Sequence, residues 1–317
     1  MKKAVLILSL SLALSAFAQE SSSSEAAAPT GAAPTSMTLP TEKVRTPTTV
    51  DLFCAGFIGK SVVSRGKFVA GGLESPFTTQ FAQGEVVFLK GSGYEVGQEY
   101  SVVRELRDSN RYEMFPGQWS AVRAAGQPYA ELARVQIVDT RNRMAVAQIK
   151  YSCDTVLPGD YVIPFTDKAA IEFHPAMKFD RFAPANGQVN GRIILAKDFD
   201  SELGNGAKVY LNIGASKGLK VGDYLKAVRS YAATAHDPVE SLSFEAMSME
   251  PTQKNPPAVD PNFFNRSSGP QIHIADMPRR AVGEIVILST TPNTATGMVV
   301  FSLEPVLVGD RVEMDQQ

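Results

Sequence analysis

Residues Ala133–Val162 read ARVQIVDTRNRMAVAQIKYSCDTVLPGDYV, and at an offset of 150 residues Gly283–Val312 read GEIVILSTTPNTATGMVVFSLEPVLVGDRV. The two align without a gap. Nine of the thirty positions are identical, among them Thr140/Thr290, Ala145/Ala295, Ser152/Ser302, Val156/Val306, Leu157/Leu307, Gly159/Gly309 and Asp160/Asp310. Upstream, GEVVFLKGSGYEVGQEYSVVR (Gly84–Arg104) matches VYLNIGASKGLKVGDYLKAVR (Val209–Arg229) at an offset of 125. Gly93/Gly218, Val96/Val221, Gly97/Gly222, Val103/Val228 and Arg104/Arg229 are identical there, and the ungapped alignment sets Val86 against Leu211 and Phe88 against Ile213. A self-match of this length is the mark of an internal duplication. The chain therefore reads as two copies of one module, 50–165 and 166–314, the second with 25 more residues between its matched halves.

Within each copy the apolar period is two. EVVFLK, EYSVVR, ARVQIVD, MAVAQIKYS and GDYVIPF alternate between glycine-rich turns, and GRIILAKD, KVYLNI, DYLKAVR, GEIVILST, TGMVVFSLE and DRVEM follow in the second copy. Five or six short strands with few helical patterns predict an all-β protein of two small barrel-like modules. Closure also removes exposed strand edges.

The stretch GASKGLKVGD, 214–223, resembles a phosphate-binding loop only at a glance. A Walker loop needs four residues between its glycines and a lysine after the second, opening a helix. Here three residues separate Gly214 from Gly218, Leu219 follows, and a strand comes next. The repeat favours turn chemistry. Gly93, Gly97, Gly159, Gly218, Gly222 and Gly309 are read as turn glycines, with positive φ expected at Gly97 and Gly222. Asp160, Asp223 and Asp310 are read as turn formers bonding their own backbone.

The chain opens MKKAVLILSLSLALSAFAQE, two lysines before an apolar run that ends on a small-x-small pattern. Residues 1–18 are thus read as a secretory signal, too short an apolar run for a membrane span. Residues 19–48, rich in Ser, Ala, Pro and Thr, are read as a disordered leader, because they hold too little apolar surface to offset ordering entropy. No later segment is long and apolar enough to span a membrane, and a formal net charge of −2 without a basic stripe argues against nucleic acid. The two cysteines, Cys54 and Cys153, are expected to form a disulfide in an exported protein; a reactive thiol is the alternative.

No catalytic or metal motif stands out, and no cofactor is implied. The three histidines, His174, His236 and His273, form no HxH or HExxH pair, and no GxSxG elbow occurs. Candidate partner-binding residues sit instead in two loops. The 105–128 loop holds Tyr112, Phe115 and the sole tryptophan, Trp119; the 231–279 loop, which the duplication leaves unexplained, holds Met247, Met249, Phe263 and Phe264. Either set serves a partner or folds back on its own barrel.

The segment VYLNIGASKGLKVGDYLKAVR, followed after a loop by VGEIVILSTTPNTATGMVVFSLEPVLVGDRV, resembles the C-terminal β-module of flagellar assembly protein T and related modules of exported bacterial envelope proteins, some of which carry LysM domains. The resemblance spans most of 80–165 and 190–314. It implies a periplasmic, non-enzymatic scaffold whose partner is an envelope protein. A glycan- or peptidoglycan-binding protein, using the aromatic loop of the first module, is the second expectation.

Overall fold

The structure is a computed structural model and describes residues 46–107, 113–141, 143–172, 179–230 and 278–315. A short strap comes first, α1 (Thr49–Phe53) and β1 (Phe57–Gly59). The first barrel follows as β2 (Phe68–Gly72), β3 (Val86–Lys90), β4 (Glu99–Glu105), β5 (Gln127–Arg141), β6 (Met144–Ser152) and β7 (Tyr161–Pro164), with α2 (Gln118–Ala125) between β4 and β5. The second half contains β8 (Asn190–Ala196), β9 (Glu202–Leu203), β10 (Lys208–Leu211), β11 (Tyr224–Arg229), β12 (Arg280–Thr290), β13 (Ala295–Ser302), β14 (Val306–Leu307) and β15 (Arg311–Met314).

Both halves close into six-stranded antiparallel barrels. The first runs β2-β3-β6-β5-β4-β7 and back to β2; the second runs β8-β10-β13-β12-β11-β15 and back to β8. Naming the strands A to F in chain order, the circuit is A-B-E-D-C-F in both. The all-β duplication holds down to secondary detail. The β9–β14 pair, Leu203 opposite Val306, has its counterpart in an isolated bridge between Phe81 and Val156.

The register corrects one part of the ungapped alignment. Leu89 pairs with Val69 and Ala145, and Leu211 pairs with Ile193 and Ala295. Leu211 is therefore the counterpart of Leu89 rather than of Val86, and Tyr210 rather than Ile213 is the counterpart of Phe88. The turn glycines still match at 93/218 and 97/222. The B–C turn of the second barrel is thus three residues longer, and the extra length is the 3₁₀ turn Ala215–Lys217.

The predicted turn residues occupy equivalent places. Gly97 and Gly222 have φ of 88° and 90° and open space around a notional Cβ, so the left-handed backbone rather than crowding requires glycine there. Gly93, Gly218, Gly159 and Gly309 also have positive φ. Leu157 N–H donates to Asp160 Oδ2 at 2.7 Å, Leu307 N–H to Asp310 Oδ2 at 2.8 Å, and Lys220 N–H to Asp223 Oδ2 at 2.7 Å.

Two of these aspartates do more. Arg104, on strand C, donates from Nε and Nη2 to the two Asp160 oxygens at 2.7 and 2.8 Å, and from Nη2 to the Thr155 carbonyl. Arg229 repeats the fork on Asp310 at 2.9 and 2.8 Å, with the Pro305 carbonyl in place of Thr155. One bidentate pair in each barrel thus ties the E–F turn to the back of strand C. Asp310 is fully buried and Arg229 6 % exposed, whereas the Arg104 side chain is 33 % exposed. Leaving a buried charge without its partner costs about 3–5 kcal/mol. Asp310→Asn should lose up to that much in chemical denaturation, since Glu304 still lies 3.6 Å from Arg229, and Asp160→Asn distinctly less.

A buried carboxylate pair in the second barrel gives a pH dependence. Burial first, and then a hydrogen bond and repulsion from Asp315, push the Glu284 carboxyl up to about 7, against the pull of Lys226. The folded state then holds a proton that the unfolded chain releases near the ordinary glutamate value of 4.5. This contribution is full below that value and disappears as pH rises toward 7, because folding there takes up a proton. The melting temperature should fall across that window, and Glu284→Gln should flatten the fall.

Candidate functional site

Among the described residues no strand of one barrel pairs with a strand of the other, so the two barrels are joined by the strap, by α2 and by the outer wall of β8, β10, β12 and β13. The strap starts on a capping box: Asp51 N–H donates to Thr48 Oγ1, and Thr48 N–H donates to Asp51 Oδ2. Burial acts to raise the Asp51 carboxyl, but Lys208 Nζ at 2.6 Å and the Thr48 donors outweigh it and hold it below the usual range. Leu52 and Ala55 lie on Val286, Leu288, Met298 and Val300 of the second barrel. The Cys54–Cys153 disulfide, with 5.7 Å between Cα atoms, fastens the same segment to the first barrel just beyond β6.

At Gly56 the strap threads between the barrels. A Cβ there would lie 2.3 Å from Tyr210 Oη and 2.5 Å from the Tyr129 carbonyl, and φ is +71°, so only glycine fits. Polar groups of the strap find partners on both sides. Gly56 N–H donates to Glu131, whose carboxylate also accepts from Lys168 Nζ. From the second barrel, Tyr210 donates to the Ala55 carbonyl, Thr296 to Gly56 and Thr294 to Ile58. β1 then pairs with β5, Phe57 opposite Tyr129.

The aromatic loop of the first module is part of this seam, which corrects the expectation that Phe115 is free for an outside partner. Phe115 is 2 % exposed, packed among Ile58, Ala125 and the core of the second barrel, with the Arg192 guanidinium 4.9 Å from its ring centre. Gln118, fully buried, donates to the Ile194 carbonyl at 3.0 Å and accepts from Met114 N–H at 2.8 Å. Trp119 is half-buried, and its backbone N–H donates to Glu113 Oε1. The C–D connection of one barrel is therefore the docking element for the next.

A visible sequence signal underlies this. β12 and β13 are buried almost without interruption, because their outer faces lie under the strap, whereas β3 and β6 alternate. The runs GEIVILS and TGMVVF are continuous where LARVQIVD and MAVAQIK are not. Gln118 and the Arg–Asp forks were not singled out by sequence reasoning, although Arg104/Arg229 and Asp160/Asp310 are all repeat identities.

A second candidate surface is the open end of the first barrel, a cleft of about 860 Å³ between the approach to β2, the β3–β4 turn and the β5–β6 hairpin. Lys67, Lys90, Arg141 and Arg143 line it, and none of the lining residues is acidic. Lys67 Nζ lies 4.6 Å from the Tyr94 ring centre and 5.2 Å from that of Tyr100. Burial first, then Tyr100, pushes the Tyr94 hydroxyl up to about 12, so it stays a neutral donor, directed to the Lys90 carbonyl.

Among the described residues no cluster of His, Cys, Asp and Glu is placed to hold a metal, and no helix is long and apolar enough to cross a membrane. The three histidines, Tyr112, Met247, Met249, Phe263 and Phe264, and residues 1–45 lie outside the described residues. No family model and no curated protein matches the chain.

Two substitutions test the assignment of α2 to the seam. Phe115→Ala should cost about 3–5 kcal/mol as a core truncation. Gln118→Ala, which strands the Ile194 carbonyl, should cost about 1–3 kcal/mol. Both are read by denaturant melts, with faster protease cleavage in 106–126. A partner-binding loop with no role in the seam would leave the melts unchanged.

Proposed function

We propose that this chain is a non-enzymatic, exported protein of the bacterial cell envelope that joins other proteins through its barrel connections. One observation carries the reading: the C–D connection of the first barrel is a docking element, seating Phe115 and Gln118 on the wall of a neighbouring barrel. The duplication gives the second barrel the same connection in a longer form, the 231–279 segment with Met247, Met249, Phe263 and Phe264. The first connection is satisfied within the chain, so the second is assigned to a partner of the same apolar character. The disulfide supports an oxidising compartment. The sequence resemblance to the flagellar assembly protein T module supports an envelope scaffold.

The test compares the full chain with a variant in which 236–272 is replaced by a short Gly-Ser linker, both exported in a bacterial host and cross-linked in place. Equal melting curves would show that the barrels are intact. The full chain should retain a defined protein partner in constant ratio, and the variant should lose it. Equal capture by both, or sedimentation with purified peptidoglycan in place of a protein partner, would overturn the reading; the second result would favour glycan binding.

A further inference from the structure

We propose that the open end of the first barrel is a binding site for an oligophosphate-type anion, a site that the second barrel has closed. The two copies differ in charge at this end. By strand register, Phe68 is the counterpart of Arg192, since each stands opposite the first residue of its strand F, Tyr161 or Arg311. Lys67 then corresponds to Gly191. Lys90, paired with Phe68, corresponds to Asn212, whose side-chain oxygen accepts from Arg192 N–H. The 150-residue offset sets Arg141 against Thr291 and Arg143 against Asn293. Four cationic positions in one copy are thus uncharged in the other.

The geometry differs in the same sense. In the second barrel the three extra residues of the B–C turn fold onto the D–E hairpin. Ala215 and Ser216 donate backbone N–H groups to the carbonyls of Thr291 and Pro292, both at 2.9 Å. Gly214 lies so close to that hairpin that a Cβ would fall 2.2 Å from the Thr291 carbonyl oxygen. Ile213 fills the remaining space; a Cβ on Gly191 would stand 2.6 Å from it. Without the insertion, the first barrel leaves the same end open as the cleft of about 860 Å³.

Charge identifies the occupant. Arg141 is held by Asp139 at 2.7 Å, but Lys67, Lys90 and Arg143 form no ion pair with any described residue. Three cations without an ion pair among the described residues and a shared arginine line one cleft, more positive charge than a single carboxylate would balance. A ligand carrying three or four negative charges on closely spaced phosphates matches it, with the two guanidinium groups suited to forked contact. Arg143 takes a φ of 65°, a backbone region unusual for arginine, at the hairpin that presents it. The Lys67 ammonium lies over the Tyr94 and Tyr100 rings, and Lys67 and Tyr94 both line the cleft.

Isothermal titration of the oxidised full chain with sodium tripolyphosphate tests this. One-to-one binding is expected with a Kd of about 10–100 μM at low salt. It should weaken at least about tenfold as salt rises from about 0.05 to 0.3 M. Lys90→Glu with Arg143→Glu should abolish binding, while Asn293→Glu, at the closed end, should leave it intact. Both altered positions of the double variant are exposed, and an unchanged melt would show that it is folded. Absence of binding, binding retained by the double variant, or citrate binding as tight as tripolyphosphate would each overturn the proposal. Vesicles containing an anionic phospholipid identify the source. Tripolyphosphate-competable binding to them supports a headgroup, and no vesicle binding beside tight tripolyphosphate binding supports a free phosphorylated solute. Neither result depends on the 231–279 segment, so this test and the partner test fail independently.

Discussion

Two closed barrels cannot join directly strand to strand, because closure pairs the barrel strands with one another and the edge left at the start of β5, beyond its pairing with β6, is taken by β1 of the strap. That constraint shapes the rest of the molecule. The join has to be made by outer walls, and an outer wall reaches a neighbour only through side chains or through an inserted segment that brings its own backbone groups. The strap is that segment. The backbone groups it carries into the seam need partners, and these come from both sides: Glu131 and Lys168 with the first barrel, and Tyr210, Thr294 and Thr296 from the second, while Lys208 holds the Asp51 side chain. Gly56 marks the closest approach, where a single added carbon would meet Tyr210 and Tyr129 together.

The seam also explains why the two copies have diverged as they have. A barrel exposed on its outside needs alternating strands, and the first barrel keeps them in β3 and β6. A barrel covered on one wall needs apolar residues on both faces there, and β12 and β13 supply them. The shared feature under both is the Arg–Asp fork. It fixes the E–F turn against strand C, which stabilises the closing pair of strands irrespective of what covers the wall.

Much of this was legible in the sequence, and what was not has physical reasons. The thirty-residue match at an offset of 150 runs through strands D, E and F without a gap, so the duplication followed from it, and the apolar period of two gave five or six strands per copy and the barrel class. The match at 125 was carried too far upstream, because the glycines at 93/218 and 97/222 hold the C side of the turn in register while the B side has slipped by three residues. Alternating aliphatics fit either register nearly as well. The fork was hidden because Arg104 and Asp160 are far apart in sequence, so each reads as a separate identity. The role of Phe115 was hidden for another reason: a lone aromatic in a loop has the same pattern whether its partner is another molecule or the other half of the chain. The continuous apolar runs of β12 and β13 were the available clue that something covers them.

Duplication makes the differences between copies more informative than the similarities. Residues kept in both, the turn glycines and the forks, serve the barrel itself, since they recur where the surroundings differ. The stretch GASKGLKVGD belongs partly to each class. Its Gly218 and Gly222 keep the positions of Gly93 and Gly97 and serve the turn. Its Ala215 to Lys217 have no counterpart in the first copy, and they close a barrel end. The segment that superficially resembles a phosphate loop therefore shuts its own barrel, and the charge that such a loop would need stands at the corresponding end of the other copy, on Lys67, Lys90, Arg141 and Arg143.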